Sequence, residues 1–349
     1  TICNLADSLV TSFLMPPEHK PSVDPHVQLS GLFAPVFETA PTDCPKIHGL
    51  LPDDLNGVYL RNGSNPSLMH RGEGYHVFDG DGMIHSIMIR NGSVSFCARF
   101  VQTRRFQQEQ ANGRPVFPKF FSGLLGMPGI ARAFVFCLRI AFGLFDVSQG
   151  WGVSNTNVAF FNGHVLSLSE EDMPYIIRIT EDGDIVTLCR YKLPFKTNMC
   201  SHPKIDPLSG DMYAFSLNVP FFPHYSIFRV PAADAVNSSD VAGAPLLDVP
   251  VPVFDIPMVH DFAITQRFII FPDNQIVIRP AELTKGQVPL CCDANKTARF
   301  CLLPKNSLPE ESASKPQWFD APGVNCLHYL NAVESGAMHA DELLFSGLH

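Results

Sequence analysis

Of the thirteen histidines in this 349-residue chain, three sit at the ends of short apolar runs among turn-forming residues, where a side chain can point into a cavity. His202 lies in Cys200-Ser-His-Pro-Lys-Ile-Asp-Pro207, and Pro203 pushes it toward extended backbone. His260 lies in Pro257-Met-Val-His-Asp-Phe-Ala-Ile-Thr265, between a proline turn and a new apolar run, and His328 lies in Val324-Asn-Cys-Leu-His-Tyr-Leu-Asn-Ala332. A histidine picked in isolation is more often a satisfied structural residue than a ligand. Gaps of 58 and 68 residues are far too long for a local clip, but they suit ligands drawn from separate sheets that converge on one axis. Imidazole donors with few carboxylates suit iron, copper, nickel or zinc, and ligand type alone does not choose among them.

The elements that must position these residues read as strands. Short runs rich in β-branched and aromatic residues recur at 57–61, 85–90, 158–161, 165–168, 175–179, 212–216, 226–230, 267–271 and 275–278. Many are closed by turn chemistry such as Asn91-Gly92, Asn162-Gly163, Asp182-Gly183 and Ser209-Gly210. The 30 prolines and 24 glycines are spread along the whole chain, which fits many short elements and an all-β protein. Hairpins at this density must hide their edges, and radial closure into a β-propeller is one solution. A large sandwich or barrel stays open, because no Trp-Asp or kelch repeat is visible.

Two segments break the β rhythm. Leu5 to Met15 carries apolar residues at helical spacing before Pro16-Pro17 stop it, which makes residues 1–30 an amphipathic helix and linker ahead of a β domain over 31–349. Lys119 to Phe145 is strongly apolar but interrupted by Pro128, Arg132 and Arg139, and it predicts a helical insertion at about 115–146. A helix in a membrane interface uses this composition, with apolar bulk on one face and snorkelling arginines on the other; packing on the protein's own core is the competing reading. No run reaches the roughly 20 apolar residues that span a bilayer. The N-terminus, Thr1, reads as a processed or incomplete end.

Composition narrows the partners. Hydrophobic residues make up 46% of the chain, and the net charge of -9 comes with no block of Lys or Arg to track a phosphate backbone, so nucleic acid is not expected. The ten cysteines are scattered without C-x2-C spacing, which fits a reducing compartment. His76, Asp79, Asp81 and His85 form a polar composite, but Asp79-Gly-Asp-Gly82 makes a tight turn and is assigned to structure.

The three histidine segments resemble, in order, histidine motifs of the iron-dependent carotenoid cleavage oxygenases. Further matches are Tyr59-Leu-Arg-Asn-Gly63 with Asn65-Pro66, His76-Val-Phe-Asp-Gly-Asp-Gly-Met-Ile-His-Ser86, and Leu168-Ser-Glu-Glu-Asp-Met-Pro-Tyr175. The resemblance runs from about residue 20 onward and is closest to the plant branch, the carotenoid cleavage dioxygenase 4 and 9-cis-epoxycarotenoid dioxygenase types. It implies a seven-bladed β-propeller with one non-haem Fe(II) per chain on four histidines, of which His202, His260 and His328 match the first three. It also implies that Glu170 matches the first of the glutamates that hold the ligand imidazoles from behind, fixing the ring tautomer. Without the resemblance, Glu170 reads as a solvated turn carboxylate.

The implied reaction is oxidative cleavage by O2 of one conjugated C=C bond of a carotenoid or apocarotenoid, giving two carbonyl products. Neutral ligands would leave the iron its full charge, and protein groups would orient the polyene and exclude water. A lipid-soluble substrate gives the two apolar segments a purpose, docking at a membrane or lipid-droplet surface, and the plant resemblance implies a plastid, in the stroma or at plastoglobules. The chain departs from the pattern in two places. Val333 stands where plant relatives usually carry tryptophan, and neither His339 nor His349 has the context of the fourth ligand. An incomplete propeller is therefore expected, either a fragment or a truncated product without turnover that binds apocarotenoid or a protein partner. A calcium-dependent lactonase-type propeller would instead need convergent Asp, Glu and Asn ligands.

Overall fold

Antiparallel hairpins account for most of the regular structure in the computed structural model, which describes residues 2–14, 19–69, 73–124, 126–219, 221–232, 247–305, 316–334 and 343–348. The chain divides into two units, residues 1–192 with 281–288, and residues 193–280 with 289–349.

In the first unit, β1 (Thr39–Asp43), β2 (Gly57–Asn65), β3 (Asp81–Arg90) and β4 (Ser93–Phe100) form a four-stranded sheet in the order β1-β4-β3-β2. A second sheet runs in sequence order through β5 (Asn157–Phe161), β6 (His164–Leu168), β7 (Tyr175–Ile179) and β8 (Ile185–Arg190). Asn91-Gly92 and Asn162-Gly163 close β3–β4 and β5–β6 with φ of 50° and 75°, and of 47° and 75°. Two consecutive positive φ values define the tight hairpin turn whose twist matches that of the strands, and Asn-Gly tolerates it best.

The two sheets share one apolar core, with Ile84, Cys97 and Val101 packed on Tyr175, Ile177 and Ile185. Polar ties reinforce it. The Asn62 side-chain amide donates to the Ser154 and Asn157 carbonyls and to Ser167 Oγ. The Arg99 guanidinium forks onto both oxygens of Asp184 at 2.8 and 2.9 Å.

The helices of this unit are α1 (Ile2–Leu14), α2 (Pro25–Gln28), α3 (Arg104–Asn112) and α4 (Gly126–Ala141). Residues 15–17 of the expected first helix and its stop lie outside the described residues. Pro128 does not interrupt α4. It occupies the first turn, where the backbone N–H it lacks would have no helical partner.

Helix α1 packs on α4 through a polar contact: Arg139, 2% exposed, donates to Asp7 Oδ2 at 2.5 Å and to Asn4 Oδ1 at 3.0 Å. Arg132 turns inward onto Glu73, which Lys119 also meets at 3.2 Å. The arginines therefore do not snorkel outward. Each neutralises a buried carboxylate, which is costly in an apolar surround unless paired.

In the second unit, β9 (Lys204–Ile205), β10 (Met212–Leu217), β11 (Tyr225–Val230) and β12 (Leu247–Val251) form a sheet in the order β12-β11-β10-β9. Next come β13 (Ala263–Ile264), β14 (Phe268–Asp273), β15 (Ile276–Ile278), β16 (Leu290–Cys292), β17 (Arg299–Pro304) and β18 (Gln317–Asp320). Of these, β13-β14-β17-β18 form a sheet and β15-β16 a separate hairpin. Last, β19 (His328–Glu334) pairs with β20 (Leu343–Leu348).

Buried rings of Phe215, Tyr225, Phe262 and Phe271 weld the two four-stranded sheets, with centroids 5.2 to 5.8 Å apart. The Lys305 ammonium, buried at the end of β17, donates to Asp206 Oδ2 at 2.5 Å and to the Thr265 carbonyl at 2.7 Å. It thereby ties the chain just past β9 to the end of β13. Four-stranded antiparallel sheets of this kind are the repeating element of propellers.

The Arg99–Asp184 fork has a pH consequence. Its hydrogen bonds hold the Asp184 carboxyl down at about 2, against an ordinary 3.8. A depressed folded-state value means that the ionised group's contribution is present above pH 4 and is lost as pH falls from about 4 to about 2. Asp184→Asn should lower stability at pH 7 by about 1–2 kcal/mol and flatten the loss over that interval. Denaturant titrations at pH 7, 4 and 2.5 check this, and parallel pH slopes for variant and parent would contradict it.

Candidate metal centre

The second unit brings His202, His260 and His328 together. His202 occupies the turn entering β9, and β9 is held in register by Met212 opposite Ile205 and Tyr213 opposite Lys204. His260 sits just before β13. Its approach is fixed by Met258 N donating to the Ile276 carbonyl at 2.7 Å and by Tyr225 OH donating to the Pro257 carbonyl at 2.6 Å. His328 is the first residue of β19. Each histidine thus stands where a loop meets a strand, on an element anchored by backbone pairing or by a core ring.

The three side chains, all half-buried, present one ring nitrogen each within 4.8 Å of the others. Nε2 of His202 and Nε2 of His260 are 2.9 Å apart. Ring centroids lie 4.5, 4.9 and 4.8 Å apart, with interplanar angles of 71°, 86° and 86°. The three rings are nearly equidistant, with planes close to perpendicular to one another. Two nitrogens each about 2.1 Å from one ion and at right angles to each other stand about 3.0 Å apart, close to the observed separation. The donor set and its spacing fit a single transition-metal ion.

Burial, then the proximity of His260, drives the His202 pKa down to about 4. The imidazole is therefore neutral at pH 7, with a lone pair to offer a cation. Among the described residues this is the one cluster of three or more His, Cys, Asp or Glu side chains close enough to share an ion. It contains no carboxylate, so the oxygen-rich set that a calcium-dependent hydrolase needs is not what converges here.

The other sequence candidates lie in or near further elements of the chain. Glu170 is half-buried at the end of β6, in the first unit. Its neighbours serve the fold: Glu171 accepts from Val153 N at 2.9 Å, and Asp172 accepts from Gly152 N and pairs with Arg190. In the His76–His85 composite, Asp79 accepts from the backbone N–H groups of Phe121 and Ser122, both at 2.9 Å. Asp81 accepts from Ser67, and His76 stacks on Phe121. The expected tight turn over Asp79–Gly82 does not form: Asp79 and Gly80 lie in a bend, while Asp81 and Gly82 open β3 opposite Asn65 and Ser64. Val333 is exposed, and His339 and His349 lie outside the described residues. Asp261, one residue past His260, received no role from the sequence. Its one signal was a charge directly after His260, ahead of the apolar run Phe262–Ile264.

Comparison with known proteins agrees with this geometry. The family model described as retinal pigment epithelial membrane protein matches residues 33–346. The chain is 41% identical over 334 residues to a probable chloroplastic carotenoid cleavage dioxygenase 4 of Arabidopsis thaliana, covering 93% of this chain and 54% of that protein. It is 37% identical to a chloroplastic 9-cis-epoxycarotenoid dioxygenase of Oryza sativa subsp. japonica, covering 96% and 52%. The chain thus spans about half the length of these curated relatives.

Among solved structures, Pseudomonas brassicacearum lignostilbene dioxygenase superposes with a TM-score of 0.69 at 23% identity, over 92% of this chain and 60% of that one. A variant of Synechocystis apocarotenoid oxygenase superposes at 0.66 and 21%, over 91% and 62%. These likenesses show the fold, that of the seven-bladed β-propellers. The chain belongs to the retinal pigment epithelial membrane protein family, the non-haem iron family of the carotenoid cleavage dioxygenases.

Proposed function

We propose that His202, His260 and His328 hold one Fe(II) in an oxygenase that uses O2 to cleave a conjugated C=C bond of a carotenoid or apocarotenoid. The observation that carries this reading is the convergence of three imidazoles, drawn from segments 58 and 68 residues apart, in a chain of this family. When bound, the iron supplies O2 activation, with cleavage of the double bond to two carbonyl products. The protein's own part is to keep His202 unprotonated and to aim the three imidazoles. His202 is held neutral by burial, and the rings are carried on the first residue of a strand, for His328, or on short segments leading into one, for His202 and His260. With no anionic donor among the three, the ion keeps its charge for an oxygen ligand. Glu170 is assigned the orienting role of a carboxylate behind a ligand imidazole, on the strength of its motif alone.

The named localisation of the relatives supports a plastid, and the first unit supports docking on a membrane or lipid-droplet surface there. Its helix pair buries the Arg139–Asp7 contact together with Val10, Val135 and Phe136, and leaves a further apolar side exposed on each helix. Ile2 (88% exposed), Leu5, Leu9 and Phe13 line one side of α1, while Met127, Ile130 and Phe134 line one side of α4. Each such side chain gains about 1.5–3 kcal/mol on full burial. A half-immersed pair of amphipathic helices suits collection of a lipid-soluble substrate. Among the described residues no helix is long and apolar enough to cross a membrane.

Anaerobic titration should give about one Fe(II) per chain, reduced to background by His202→Ala, His260→Ala or His328→Ala. Full iron occupancy in any of these variants would remove that histidine from the site. O2-dependent bleaching of carotenoid absorbance, followed by identification of two carbonyl products, tests the reaction itself. For the surface, co-sedimentation with phosphatidylcholine vesicles should be lost in the Phe13→Glu/Phe134→Glu double variant. Equal sedimentation of the two forms would place the lipid contact elsewhere.

A further inference from the structure

Asp261 is 2% exposed, and its carboxylate touches all three histidine-bearing segments at once. Oδ1 pairs with Lys204 Nζ at 2.7 Å and accepts from Phe262 N at 2.8 Å, while Oδ2 accepts from Tyr329 N at 2.9 Å. Lys204 is two residues past His202, Asp261 is one past His260, and Tyr329 is one past His328. We infer that Asp261 is a positioning residue for the metal site, a buried staple that sets the three imidazoles in common register.

This rests on the metal reading above and goes further, because it says which side chain makes the ligand geometry a property of the fold. The staple acts close to the ligands. A backbone N–H adjacent to one ligand, and a side chain two residues from another, are bonded to the carboxylate whose own backbone carries the third. The bonds are directional. A shift of the His328 strand along its own axis breaks the Tyr329 contact, and a shift of the His202 turn breaks the Lys204 pair. A carboxylate this far from water is tolerated because those donors satisfy it, so the pairing resists rearrangement.

Another buried lysine–carboxylate tie of this unit, Lys305 with Asp206 and the Thr265 carbonyl, meets the same segments four or five residues from His202 and His260. It holds the sheets together without touching a residue adjacent to a ligand. A ligand site needs placement within about half an ångström, which the nearer staple supplies.

Co(II) is the probe, because its visible bands report ligand geometry independently of turnover. The chain and its Asp261→Asn, Lys204→Met and Asp273→Asn variants would be titrated with Co(II), with unfolding midpoints recorded in parallel. Asp273 is an equally buried carboxylate of the same unit, paired with Lys296 and Arg299. Asp261→Asn should weaken Co(II) binding by about 10- to 100-fold and change its band pattern. Lys204→Met should do so more mildly, and Asp273→Asn should lower the midpoint while leaving affinity and spectrum alone.

If Asp261→Asn does not fold, unchanged affinity and spectrum in Lys204→Met overturn the inference. Co(II) binding by Asp261→Asn equal to the parent's overturns it and leaves the metal reading standing. Equal losses in Asp261→Asn and Asp273→Asn reduce the effect to general stability and overturn it as well. No binding by the parent chain removes the metal reading and this inference with it.

Discussion

Three imidazole nitrogens within 4.8 Å of one another make an arrangement that no local stretch of chain can build and that the rings themselves do not favour. Half-burial strips water from each ring, and any proton taken up by one is repelled by its neighbours, which is why the His202 pKa falls to about 4. The cluster must be held by the rest of the second unit. That constraint explains where the unit spends its polar groups: Asp261 beside the ligands, Lys305 one step out, and Glu334 gripping Thr265 and the Arg267 backbone at the far end of β19. The aromatic cluster of Phe215, Tyr225, Phe262 and Phe271 fills the space between the sheets that carry the first two ligands. Phe262 is itself two residues from His260, so core packing and ligand placement are coupled through a single short segment.

The strand pattern was readable because its signals are local. Asn-Gly at positions 91–92 and 162–163 permits one kind of turn, and the structure adopts positive φ at all four residues. Runs such as Met212–Ser216 and Ser226–Val230 became neighbouring strands paired residue for residue. The histidines were readable for a different reason, their placement at run ends among turn residues. What could not be read was any contact across sequence distance. Asp261 looked like one acid ahead of an apolar run, and its meaning appears only when Lys204 and Tyr329 arrive from 57 and 68 residues away. Glu170 shows the limit from the other side. Its motif can be matched, but nothing local separates it from Glu171 and Asp172, both of which serve the fold.

The helix pair was legible in composition and misleading in direction. Apolar residues at helical spacing establish that α1 and α4 are amphipathic, but amphipathicity alone does not say which side faces the protein. The sequence suggested arginines reaching outward. Instead Arg139 and Arg132 face inward because Asp7 and Glu73 are waiting there, and a buried carboxylate requires a partner more urgently than an exposed phenylalanine requires cover. Val10 of α1 and Val135 and Phe136 of α4 are buried alongside these pairs, and a further apolar side of each helix stays exposed.

The pairing of Asp261 with Lys204 also bears on the charge of the site. A carboxylate one residue from a ligand could in principle act as a ligand itself or as a counter-charge that weakens the pull of the ion on an oxygen species. Here Oδ1 is committed to an ammonium and a backbone N–H, and Oδ2 to a second backbone N–H. The acid is thereby oriented, neutralised as a pair, and kept out of the ligand set. Had the staple been an amide, Lys204 would stand as an unpaired cation two residues from a ligand and would repel a metal ion. Had it been a carboxylate without the lysine, its charge would compete with the imidazoles for the ion. The Lys204–Asp261 pair satisfies both requirements at once, holding the histidines in register while leaving the donor set electrically neutral.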